Sequence, residues 1–205
     1  MPNVSNVKSK FFGAVDALDA DGISVAATIG SATTLTLGGT LTSGGSYTSG
    51  DNIGQLITIL SAGDDSGITF TVVGTDAVGD AQTEVVTGAN AGTATSSGYF
   101  NTVASITTSA ASAGDVSAGV TATGTGTVFA GRTRIRGLQG LSGTSAGNLL
   151  FKNTSVTGTT LLTVPTQAAA ELIEPYIPDN GVLFDAGAYV NFGSAVATVT
   201  VFYDG

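Results

Sequence analysis

Three arginines stand at alternate positions, Arg132, Arg134 and Arg136, and residues two apart on a strand project from one face. A row of guanidiniums suits carboxylates on a neighbouring protein surface or the oxygens of a phosphate. It equally suits a charged strand edge that discourages sheet-to-sheet aggregation. Lys8, Lys10, Phe11 and Phe12 form a second candidate contact, with two apolar anchors and two cations, and a flexible terminus is the competing reading. These two groups are the candidate protein interface. Among the acids, Asp64, Asp65, Asp76 and Asp80 are the best candidates for a hard cation, which needs roughly six to eight oxygens. Their spacing departs from the EF-hand loop, and Asp is the ordinary residue of tight turns, so no metal site is assigned. Glycoside hydrolysis needs two carboxylates flanking a sugar-sized cleft. Glu84 is isolated, Glu171 and Glu174 share a face only if their segment is helical, and the chain has no Trp on which a sugar could stack. No catalytic residue is assigned.

The composition points the same way. The 205 residues include 30 Gly, 32 Thr and 19 Ser, yet 42% are hydrophobic, only 10% are charged and the mean hydropathy is +0.35. Small, β-branched and lightly charged chains of this kind bury sheets rather than remain disordered. The absence of His and Cys removes the usual zinc sites, thiol nucleophiles, His-based triads and disulfide frameworks. A non-enzymatic protein without cofactors is the expectation. A net charge of −9 disfavours partners that present phosphate, whether nucleic acid or anionic membrane. No apolar run approaches membrane-spanning length, and MPNVSNVKSKFFGAV lacks the apolar region of a secretory leader.

The elements that must position these residues read as strands. Short β-prone runs alternate with turn clusters, the pattern of an all-β sandwich. In Gln55–Leu60, Leu56, Thr58 and Leu60 face one way and Ile57 and Ile59 the other. Ile68, Phe70 and Val72 share a face, and with Ala81–Thr87 beyond the TDAVGD turn they predict a hairpin. Further runs are Thr33–Leu37, Tyr99–Thr107, Asp115–Val120, Leu149–Lys152, Thr159–Val164, Val182–Phe184, Tyr189–Phe192 and Val196–Tyr203. The only helical expectation is a turn or two over Pro165–Glu174, with Pro at a permitted first position and Pro175 as the stop. Residues 1–13 read as an arm, and TATGTGT at 121–127 reads as a linker. Residues 1–121 hold two Lys and ten acids, a balance of −8, whereas 122–205 hold four bases and five acids, a balance of −1. The resulting division is an arm at 1–13, an acidic β-sandwich domain at 14–121 and a second β-sandwich, jelly-roll or immunoglobulin-like, at 122–205.

Residues 61–120, SAGDDSGITFTVVGTDAVGDAQTEVVTGANAGTATSSGYFNTVASITTSAASAGDVSAGV, resemble a module recurrent in virion proteins of tailed bacteriophages. The upstream DGISVAATIGSATTLTLGGTLTSGG resembles the start of that module. One departure is SSG before Tyr99, which touches no proposed chemistry. FDAGAYVNFGSAVATVTVFYDG at 184–205, preceded by IPDNG, is similar to the end of a second phage module, and RTRIRGLQG, GNLLFKN and TTLLTVP match its opening. Together they cover most of residues 14–205. The resemblance implies a structural protein of the phage particle with no catalytic residues to carry over. Its expected form is a capsid decoration, or cement, protein on the outer surface of the virion. It would be a homo-oligomer, as a homotrimer, that binds the major capsid protein and stabilises the head, assembled in the host cytoplasm. The alternative is a tail, neck or fibre component that attaches to the host, for which Tyr47 and Tyr99 are the few aromatics placed on turns.

Overall fold

Apolar residues alternating with Thr, Ser and Gly satisfy a period of two, and the chain answers with strands throughout. The computed structural model describes residues 6–168, 170–193 and 196–205. In chain order the strands are β1 (Val7–Phe12), β2 (Asp19–Thr28), β3 (Thr33–Thr34), β4 (Thr42–Ser43), β5 (Ser46–Thr48), β6 (Gly54–Ser61), β7 (Thr69–Thr75), β8 (Ala81–Thr87) and β9 (Thr93–Phe100). They continue as β10 (Thr102–Thr108), β11 (Asp115–Phe129), β12 (Thr133–Ser142), β13 (Gly147–Asn153), β14 (Thr160–Thr166), β15 (Leu172–Ile173), β16 (Val182–Phe184), β17 (Ala188–Gly193) and β18 (Val196–Asp204). No helix occurs among the described residues, so the all-β expectation holds.

The chain divides into two compact units. Unit 1 comprises residues up to Val15, Gly50–Ile53 and Thr123–Gly205; unit 2 comprises Asp16–Ser49 and Gly54–Ala122. In unit 2 one sheet runs β4-β5-β10-β7-β8, with β3 also on β10, and the other is built from β2, the first half of β11, β6 and β9. Phe70, Val72, Val103 and Ile106 from the first meet Ile23, Ile57, Ile59 and Val116 from the second in one buried cluster. In unit 1 one sheet runs β1-β18-β12-β15, with β16 also on β12, and the other runs β14-β13-β17 beside the second half of β11. Its core joins Phe12, Ile135, Leu138, Val199 and Val201 to Leu149, Phe151, Val190 and Phe192.

Several local expectations are corrected. Of the stretch read as an arm, residues 1–5 lie outside the described residues and Val7–Phe12 form strand β1, paired over six residues with β18, with Phe12 fully buried. Its burial explains the pairing: the Phe12 ring packs 5.4 Å from the Phe192 ring, which fixes an apolar anchor that a free terminus would leave in water. The stretch read as a linker is the middle of the 15-residue strand β11. Gly126 is there for close approach, since a Cβ on it would lie 2.3 Å from the Phe12 ring, and the Thr residues between the glycines are good strand formers. The described residues of the segment Pro165–Glu174 are not helical: Pro165 and Thr166 close β14 and Leu172–Ile173 form β15 against β12. Tyr99–Thr107 is broken at Asn101 into the end of β9 and the start of β10. Of Thr33–Leu37, only Thr33–Thr34 pairs as strand.

Candidate interface surface

The register of the β1-β18-β12-β15 sheet decides which side chains can meet a partner. Phe12, Val199, Val201, Ile135, Leu138 and Ile173 point into the unit 1 core. The intervening residues form the outer face in cross-strand rows. Val7 lies opposite Asp204, Arg134 and Leu183; Ser9 opposite Phe202 and Gly137; Phe11 opposite Thr200 and Gln139; and Thr198 opposite Leu141 and Leu172. This face holds unusually large exposed apolar groups: Phe11 is 43% exposed, Leu141 45% and Leu172 60%. Gly137 lies opposite the half-buried Phe202, and a Cβ there would make ordinary van der Waals contact with its ring at 3.5 Å.

The arginine row sits at one end of this face. Thr133 and Ile135 are buried between Arg132, Arg134 and Arg136, so the alternation read from sequence is present in space. Each arginine also has an intramolecular partner. Arg132 Nε is 3.8 Å from Asp185 Oδ1, Arg134 Nη1 donates to the Asn180 carbonyl at 3.0 Å, and Arg136 Nε is 3.5 Å from Asp204 Oδ2. A β-bulge falls between Ile135 and Gly137 and re-aims Arg136, as bulges do. The edge-protection reading fails, because β12 is paired with β18 on one side and with β15 and β16 on the other.

The N-terminal candidates separate. Phe11 belongs to the outer face, while Phe12 is withdrawn into the core and cannot dock on anything. Lys8 Nζ donates to the main-chain oxygen of Gly205 and lies 5.7 Å from the centre of the Phe129 ring. Lys10 Nζ is 5.9 Å from the Phe12 ring centre, and burial holds its pKa below the ordinary lysine value. Both lysines therefore pack against aromatic rings, an arrangement that favours the cation modestly. Sequence reasoning missed Asp204, Phe202, Leu141 and Leu172. The alternation of VATVTVFYD names Phe202 and Asp204 as one face, but their juxtaposition with Arg134 and Gly137 depends on a register set by residues far apart in sequence.

The acidic candidates do not converge. Asp64 and Asp65 lie at the open end of the β7–β8 hairpin, Asp76 and Asp80 at its tip. Asp64 Oδ1 accepts from the Ser66 hydroxyl at 2.7 Å and the Ser66 amide at 3.2 Å, and these bonds, the hydroxyl first, hold its pKa below the ordinary carboxylate value. Asp76 Oδ1 accepts the amides of Val78 and Asp80. Asp65 is buried, with Oδ1 accepting the Ala113 amide at 2.7 Å and Oδ2 without a hydrogen-bond partner among the described residues. No group of three or more carboxylates that could hold a metal occurs among the described residues. Glu84 is occupied too: its two oxygens accept the amides of Ser97 at 2.6 Å and Gly98 at 2.8 Å. Tyr47 is buried, its hydroxyl bonded to Asp16 and Gln55, and burial drives its pKa far above the ordinary phenol value. A cleft of unit 2, between residues 24–30 and 33–38, is lined by no ionisable side chain.

The division of charge follows the division of the fold. All six bases, Lys8, Lys10, Arg132, Arg134, Arg136 and Lys152, lie in unit 1 with six acids: Asp51, Glu171, Glu174, Asp179, Asp185 and Asp204. Unit 2 holds nine acids, Asp16, Asp19, Asp21, Asp64, Asp65, Asp76, Asp80, Glu84 and Asp115, and no base. No family model, curated protein or solved structure matches the chain.

Proposed function

We propose that this chain is a non-enzymatic structural protein of a tailed-phage particle, a capsid decoration protein that binds the outer surface of the major capsid lattice as a homo-oligomer and stabilises the head. The observation that carries this reading is the complete segregation of charge: nine acids without a base in unit 2, and equal numbers of each sign in unit 1. A surface of −9 is repelled by packaged DNA and suits the solvent side of a shell. A charge-balanced surface with exposed aromatic and aliphatic groups suits contact with protein. Bridging adds buried area between capsid subunits, and any ligand that binds only the assembled shell stabilises it by mass action. The charge-balanced surface of unit 1, with its arginine row, is assigned to contact; Phe12 is excluded by its burial.

The test is copy number per particle, by quantitative mass spectrometry on purified virions. Copies comparable in number with the major capsid protein are expected. A low copy number, of the order of a symmetric tail ring or fibre set, moves the protein to the tail or neck and overturns the decoration reading.

A further inference from the structure

We propose that the outer face of the β1-β18-β12-β15 sheet is the surface on which a second copy of this chain docks, through Phe11, Phe202, Leu141 and Leu172, with Arg134, Arg136 and Asp204 exchanging partners at its rim. This deepens the homo-oligomeric reading above and rests on it for its biological setting. Three observations select the face and its occupant.

First, the face is apolar and open. Phe11, Leu141 and Leu172 are exposed and Phe202 is half-buried on a four-strand surface whose other side is already the unit 1 core. Large apolar groups gathered on one face mark a contact surface more often than scattered ones do. Second, the face is self-complementary in charge. Arg134 and Asp204 are cross-strand neighbours, and Arg136 reaches the same carboxylate. Both signs therefore sit together at one end. When a patch meets its own copy about a two-fold axis, each residue faces its partner reciprocally, and the arginines of one copy find the carboxylate of the other. Third, the competing surface is excluded by charge. Unit 2 also exposes valines on its β7–β8 hairpin, Val85 at 60%, but two such units would each bring −9 without a single base to offset it. Unit 1 has no net charge and meets its own copy without that repulsion.

The experiment is sedimentation velocity on the full chain across a concentration series. Wild type is expected as a multiple of the 20.1 kDa chain. The double variant Phe11→Glu/Leu141→Glu, two exposed positions, is expected to sediment as the monomer with an unchanged far-ultraviolet dichroism spectrum. Val85→Glu is expected to assemble as wild type. The assembly is also expected to survive about 0.5 M salt, since a contact between the arginine row and the acidic unit of another copy would be screened apart there. A wild-type monomer overturns the proposal. So does a multimer that Val85→Glu disperses, one that Phe11→Glu/Leu141→Glu leaves intact, or one that salt dissolves. Where Leu141→Glu disturbs the fold, Leu172→Glu paired with Phe11→Glu repeats the test on the neighbouring row. A multimer that is lost in the double variant while purified particles contain few copies keeps this interface and removes the decoration reading. High copy number with a monomer in solution does the reverse.

Discussion

Units 1 and 2 bury cores of comparable size, each with sixteen buried apolar residues among those described, from the same small, β-branched vocabulary. Their surfaces differ in kind. Unit 2 carries nine acids and no base, and none of its strongly exposed apolar groups is aromatic. Unit 1 carries six of each sign and exposes Phe11 and Tyr176. A core of Val, Ile and Phe is enough to fold either unit; what each can touch is decided by the thin layer of charge and aromatic groups outside it. On the function proposed above, contact falls to unit 1 and solvent to unit 2.

The largest test of that assignment concerns β1. If residues 7–12 were an arm, Phe12→Ala would leave stability unchanged. As a core residue packed on Phe192, it is expected to cost about 3–5 kcal/mol in urea unfolding, as much as Phe70→Ala in unit 2. A smaller effect is expected from Gly126→Ala on β11, where the added methyl collides with the Phe12 ring: about 1–3 kcal/mol, the cost of overpacking. A flexible linker would instead gain stability from that substitution.

The arginine row gives finer resolution. Arg136→Ala, which breaks the 3.5 Å approach to Asp204, is expected to cost roughly 0.2–1 kcal/mol, the range of surface ion pairs. Arg132→Ala, at 3.8 Å and more exposed, is expected to be thermally silent. The two variants thereby separate fold support from partner contact.

The smallest effects belong to unit 2 and to acid. The Asp64 carboxyl is held low by Ser66, and that of Asp19 chiefly by the Thr40 hydroxyl. A depressed folded pKa stabilises above the ordinary value of 3.8 and is lost as pH falls through the folded value. Asp64→Ala is therefore expected to lower the unfolding midpoint slightly at pH 7 and to match wild type at the acid end of a pH series.

Much of the framework was legible because period two survives local noise. Ile57 and Ile59 share a fully buried face and Leu60 on the other face is exposed, although Thr58 beside it is buried, and the β7–β8 hairpin pairs Thr69 with Thr87 through Thr75 with Ala81. What resisted was long-range. Lys8 and Lys10 mask the alternation of VKSKFF, because their ammonium groups sit over the Phe129 and Phe12 rings, partners that only the fold supplies. Gly-rich TATGTGT reads as flexible until Phe12 is placed against Gly126. The arginine row declared its own face, but not Asp185, Asn180 or Asp204, which reach it from between about 45 and 70 positions downstream. The recruitment of Gly50–Ile53 into unit 1 has no local signature at all.

The assignment of contact to unit 1 is tested most directly by hydrogen exchange of the chain free and bound to purified capsids. Slowed exchange within unit 1, with β7 and β8 exchanging at their free rates, is the result predicted. Slowed exchange in β7 and β8 with unit 1 unchanged would contradict it.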